Sequence, residues 1–370
     1  VAKNKSYEST GNFISWISNT AIANLFLGIN YLIGFLGAIL FTIAGLLIEL
    51  GLLLNVSIID ISSGIGVVHL GWSLARDLAN LGFVIAIIII AFATMLRIES
   101  YGMKKTLTNL IIAAVLINFS LVIAGVFVDF SHILTHFFVA KSIGGSFQNP
   151  SDSFHQFALQ LASAFNPQKL LETDFKKITD YQGLLESGAG ILAVVASSFF
   201  VAFFTILGAL AMLGTASILF YRYIILSILL ILMPLAILIW VFPDLKKYWS
   251  EWSTKFMEQI FILPLNMFFI YLAIKMVEMK SRVNPGDLAL VVDKHSANAF
   301  NNLLRIMSQP FSHMGQMLVV LAFLFGGIYA SKKMGVVGAK GAYDSGKAII
   351  NWGTGRLKKA VGVRRGRTRE

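Results

Sequence analysis

Phe83-Val84-Ile85-Ala86-Ile87-Ile88-Ile89-Ile90-Ala91-Phe92-Ala93-Thr94-Met95-Leu96 is apolar on every side of any regular element built from it. A strand of a transmembrane barrel alternates lipid-facing and lumen-facing residues over about ten positions, and this run does not alternate. Lipid-exposed backbone must satisfy its own hydrogen bonds, which leaves the helix. Similar runs, near the roughly 20 residues that cross a ~30 Å hydrocarbon core, recur along the chain between short polar breaks. Of 370 residues, 56% are hydrophobic and 13% charged, with a mean hydropathy of +0.75. Soluble chains carry about twice that share of charge. The expected fold is an all-α polytopic membrane bundle with about six to seven apolar segments and interfacial amphipathic helices.

Upstream of the opening run, Gly71-Trp72-Ser73-Leu74-Ala75-Arg76-Asp77-Leu78-Ala79-Asn80 places Trp72, Arg76 and Asn80 on one helical face. A Trp beside a span sits at headgroup level. Ile29 to Leu54 is a further span holding one acid, Glu49. Residues 1–28 form an amphipathic leader, with Phe13, Ile14, Trp16, Ile17 and Leu25 at near-helical spacing, and with no cleavage site the first apolar run reads as a retained anchor. Downstream, Leu107 to Val128 is a span and Asp129 to Lys141 an amphipathic piece, closing a first membrane region over 29–140. Residues 141–187 are a polar loop broken by Gly144-Gly145, Asn149-Pro150 and Asn166-Pro167.

The second membrane region covers 188–330. Gly188 to Leu213 and Ala216 to Phe242 read as a tight hairpin turning at Gly214-Thr215, with Arg222 near the start of its second arm and Pro234 inside it. Trp252 to Val277 begins amphipathic and contains Pro264, and His313 to Ala330 is a short last span. Residues 331–370 are a basic tail with eleven Lys and Arg against Asp344 and Glu370, nine of the chain's eleven net positive charges. Basic residues stay in the cytoplasm, which puts the tail there together with the turn bearing Arg97, Lys104 and Lys105. The 141–187 loop lacks that signature and is expected outside. Turn and tail on one side require an even number of crossings between them. The reading above has five apolar segments there, so Trp252 to Val277 is expected to be re-entrant or interfacial.

Little in the chain points to chemistry. Cysteine is absent, so disulfides and thiolate metal sites are excluded. His132 and His136 stand at i, i+4 without a third ligand nearby and read as structural. No Walker-type loop or Ser/His/Asp order is present, and Gly335 to Gly341 lacks the context of a dinucleotide site. The expectation is a non-enzyme with no cofactor and no metal. Glu49 and Arg222 are charges at lipid depth that would cost less as a pair, although Arg222 can also snorkel. Asn118 and Ser120 are placed to bond across helices as packing glue. Small residues at Gly34, Gly37, Gly45, Gly208, Gly214, Gly326 and Gly327 let helices approach closely, within one bundle or between copies. Lys358, Lys359, Arg364, Arg365, Arg367 and Arg369 could contact anionic lipid, nucleic acid or an acidic partner, and at the least fix topology.

The stretch from Gly71-Trp72 through Arg76-Asp77-Leu78-Ala79-Asn80, the segment Ala113 to Ser120 (AAVLINFS), the segment Arg222 to Ala236 (RYIILSILLILMPLA) and the glycine-rich basic tail together resemble the TrbL-like family. These are polytopic inner-membrane subunits of bacterial type IV secretion and conjugation systems, the sixth VirB component among them. The resemblance implies a non-enzymatic subunit in several copies, assembled in the inner membrane with a cytoplasmic ATPase and pilin-like subunits. It would contact lipid and, transiently, the DNA or protein in transit. In kind, Trp72 corresponds to the family's interfacial Trp, and Arg222 to the Arg opening its Arg-to-Pro span. The chain departs from that pattern in having more apolar segments than about five and a modest outer loop. Two other classes stay open. One is a transporter or channel for a small solute or ion, with Glu49, Asn118, Asp129 and Arg222 lining a midplane site. The other is a scaffold without conduction.

Overall fold

The computed structural model describes residues 2–59, 66–97, 103–145, 149–164, 188–280 and 317–335, together with 344, 347, 348 and 351. Its elements are helices: α1 Ala2–Val56, α2 Val67–Met95, α3 Met103–Ile143, α4 Pro150–Ala164, α5 Gly188–Trp240 and α6 Lys246–Lys280, followed by α7 over 317–333. Five helices among the described residues are long and apolar enough to cross a membrane, as an all-α membrane bundle requires.

Several boundaries differ from those read in the sequence. The hairpin at Gly214-Thr215 does not exist, because α5 runs unbroken through it for 53 residues. Both residues are buried in the bundle, and Thr215 Oγ1 donates back to the Ala211 carbonyl at 3.0 Å. A turn there would strand backbone groups in an apolar core at several kcal/mol each, against about 1 kcal/mol for a helical glycine. Asp129 to Lys141 is no separate piece but the end of α3, and α6 continues through Pro264 instead of breaking into a re-entrant loop. Among the described residues between the Arg97 turn and the tail, α3, α5 and α6 are long and apolar enough to cross a membrane. The 141–187 segment, expected as loop, contains α4, whose Phe154, Phe157 and Leu161 are buried in the core. The amphipathic leader falls within α1; its Leu25 is exposed, and the side chains of Phe13, Ile14, Trp16 and Ile17 lie outside the described residues.

Directions follow from close contacts. A Cβ on Gly37 would meet Thr205, and one on Gly51 would meet Leu219, so α1 runs parallel to α5. Gly71 faces Ile231 and Gly82 faces Leu238, so α2 also runs parallel to α5, further along it. Consequently α1 and α2 lie end to end on one long helix. Two large apolar cores result among the described residues. An upper core joins Phe41, Ile48, Phe157, Met212, Leu263 and Leu324, and a lower one joins Ala79, Ile117, Leu230, Ile237 and Phe256. α3 and α5 pass through both, antiparallel to each other, and α6 rises parallel to α3 while α7 descends beside it. At the helical rise of ~1.5 Å per residue, the α5–α6 connection lies about 30 Å below Arg222 and the α2–α3 connection about 40 Å below it, at the lower end.

Candidate functional site

Where the two cores meet, the apolar helices change character. Arg222 is fully buried there. Its Nε donates to the Gln259 carbonyl at 2.8 Å, Nη2 to Ser131 Oγ at 3.2 Å, and Nη1 to Asn55 Oδ1. One guanidinium thus ties α5 to α6, α3 and α1. The partners are held in turn: Asn55 Nδ2 donates to the carbonyls of Gly51 (2.7 Å) and Leu219 (3.0 Å), and Ser131 Oγ donates to the Ile260 carbonyl at 2.7 Å. None of the three acceptors is a carboxylate. An arginine's planar fork serves several acceptors at once, and charge-assisted bonds offset part of the cost of burying it.

The expected Glu49–Arg222 pair is not formed. Six residues of helix separate Glu49 from Asn55, which moves Glu49 up the axis and around to another face. There its Oε2 lies 2.9 Å from His155 Nδ1 of α4. Beside that pair, Gly45 approaches the Ala158 backbone, so α4 is clasped to α1 by chemistry and by shape.

Below the junction Trp72 is buried, and its Nε1 donates to Ser120 Oγ at 2.8 Å. Ser120 thus bonds across helices, whereas Asn118 is exposed and donates to the Ala114 carbonyl of its own helix. Arg76 lies 4.9 Å from the Trp72 ring centroid and 3.3 Å from the exposed Asp77 carboxylate. Asn80 follows on that face and is exposed, and Pro234 is buried in the lower part of α5. His132 and His136 stack at 6.3 Å, and no group of three metal-capable side chains occurs among the described residues. Asn118 and Asp129 face outward while Arg222 is enclosed, so the four residues of a midplane transport site do not converge. Lys358, Lys359, Arg364, Arg365, Arg367 and Arg369 lie outside the described residues.

The sequence reading missed Asn55, Ser131 and Gln259. Each is a polar residue inside or beside an apolar run, which is a visible signal, but nothing in the sequence says that they meet.

The family described as TrbL/VirB6 plasmid conjugal transfer like protein matches residues 72–369. The chain belongs to that family. No curated protein and no solved structure matches it. As a TrbL/VirB6 family member it is a membrane component of conjugal transfer, working within a system of other subunits. The match opens at Trp72 and takes in Ser131, Arg222 and Gln259, while Asn55 lies before it. For a TrbL/VirB6 family member, then, the junction joins matched helices to one that precedes the match.

Proposed function

We propose that this chain is a non-enzymatic inner-membrane subunit that scaffolds and helps form the path by which DNA or protein leaves the cell through a type IV secretion machine. The Arg222 junction carries the reading: it uses one buried cation to hold four helices in register. Trp72 acts with it, fixing α2 to α3.

Several copies are expected to assemble. α5 is about 80 Å long, well over the ~30 Å of a hydrocarbon core, so a single bilayer leaves apolar surface for neighbouring copies or subunits. The basic tail is read as cytoplasmic, where it contacts anionic lipid or a partner such as the system's ATPase. Arg97, at the α2–α3 turn, supports the same side for that lower end.

The test is gentle detergent extraction of the tagged protein from native membranes and mass spectrometry of what stays bound. Secretion ATPase, pilin-like and envelope-spanning subunits are the expected companions. A clean monomer or self-oligomer, with substrate flux in vesicles made from it alone, would instead favour a transporter.

A further inference from the structure

In the lower core α2 packs on α3 and α5, α6 packs on the same two helices, and α2 and α6 hardly touch. The four helices form a rhomb with α2 and α6 at opposite corners, and the two corners differ in chemistry. On the α2–α3 side the exposed side chains include Leu81, Ile85, Ile88, Ile111 and Phe119. On α6, Lys247, Glu251, Lys255 and Glu258 succeed one another at helical spacing. The first three side chains are 81%, 62% and 51% exposed, and Ser250 and Thr254 are exposed between them.

These charges are not beyond the end of the apolar surface. Phe256 packs edge-on against Phe127 at 6.1 Å, and Ser131 bonds the Ile260 carbonyl, so α6 runs parallel to α3 with its first turns level with the exposed Phe119, Val122 and Val126. A Lys or an acid at the centre of a lipid-facing helix costs ~2.5–3.5 kcal/mol. The pairs Lys247–Glu251 (3.9 Å) and Lys255–Glu258 (2.8 Å) recover only a few tenths each. Lipid is therefore the wrong neighbour for this face.

A second observation agrees. α7 ends against the same corner: Tyr221 Oη donates to the Gly335 carbonyl at 3.4 Å, and a Cβ on Gly335 would meet Lys255 Nζ. From here the chain continues into its most basic sequence, which needs water where it departs.

We propose that the outer face of α6 from Lys247 to Glu258 is a water-facing surface at membrane depth, lining an aqueous path for a hydrated, charged polymer, while the α2–α3 face takes lipid. This rests on the path-forming reading given above and names the surface involved. Two Lys and two Glu leave the face without net charge, so it holds neither phosphates nor cations tightly, and conduction needs such weak binding.

Because the chain has no cysteine, single thiols report their surroundings without background. Lys247→Cys, Glu251→Cys and Lys255→Cys, with Ile85→Cys and Phe119→Cys as lipid controls, are treated with a charged, membrane-impermeant maleimide in open membrane fragments holding the assembled machine. The α6 thiols should react about tenfold or more faster than the controls, since only a hydrated thiol ionises readily. The same treatment of mating cells should cut plasmid transfer severalfold. α6 thiols as slow as the controls in membranes, yet reactive in detergent, would show the face covered and overturn the proposal. Full labelling with unchanged transfer would remove it from the path. Co-purification of the other subunits, scored in parallel, reports the parent reading separately.

Discussion

Removing the Arg222 guanidinium strands Asn55 Oδ1 and loosens Ser131 and the Gln259 carbonyl in one step, all of them buried. Arg222→Ala is therefore expected to lose ~3–5 kcal/mol through cavity and unsatisfied acceptors together, read as lowered thermal stability in detergent. Arg222→Leu should fall less in stability but still lose assembly and transfer, because an aliphatic side chain fills space without holding three helices. Wild-type transfer by Arg222→Leu would end the structural role given to this residue. Trp72→Phe and Ser120→Ala should each cost about 1 kcal/mol, and the double variant less than their sum, since both remove one hydrogen bond. A charge or a Trp beside an apolar run is conspicuous, so Arg222 and Trp72 stand out in the sequence, although the sequence sets Trp72 at headgroup level and the structure buries it against Ser120. The partners of Arg222 do not, because Asn55, Ser131 and Gln259 stand 167, 91 and 37 positions away and no local pattern encodes such meetings. Glu49 was paired wrongly for a related reason: depth in the membrane is readable from sequence, but the side of the helix facing a given neighbour is set by packing.

At the scale of elements, apolar length was legible and helix ends were not. Gly214-Thr215 carries ordinary turn residues, yet in an apolar core the helix ladder outweighs their preference, and the expected hairpin became the middle of α5. That difference can be measured with pairs of introduced cysteines. Gly37→Cys with Thr205→Cys, and Gly82→Cys with Leu238→Cys, should both cross-link, since each pair sits where two parallel helices touch. A hairpin at Gly214 would reverse one arm of α5 relative to the other, and the two cross-links could not form in the same register. α4 was hidden for another reason. Its sequence is polar enough to pass for loop, and only the face carrying Phe154, Phe157 and Leu161 identifies it as a helix laid on the upper core.

For the whole molecule, composition alone established a membrane bundle, but not that its helices stack in two tiers. End-to-end placement of α1 and α2 follows from glycines that let each lie close on α5, and close approach of small residues has no directional signature in sequence. The basic tail makes a separate prediction about orientation. Alkaline phosphatase fused after Gly335 should be inactive and a cytoplasmic fluorescent reporter bright, and the reverse pattern would place the tail outside.

The Arg222 junction also sets an order of events during synthesis. Its acceptors on α1 and α3 are made before the arginine, but the α6 backbone that completes the set follows 37 residues later. At ~5–20 residues per second, the nascent chain carries an incompletely satisfied cation for about 2–7 seconds. Throughout that interval α5 has reason to stay in the shelter of the insertion machinery, and release into lipid becomes favourable only as the helix that finishes the site arrives.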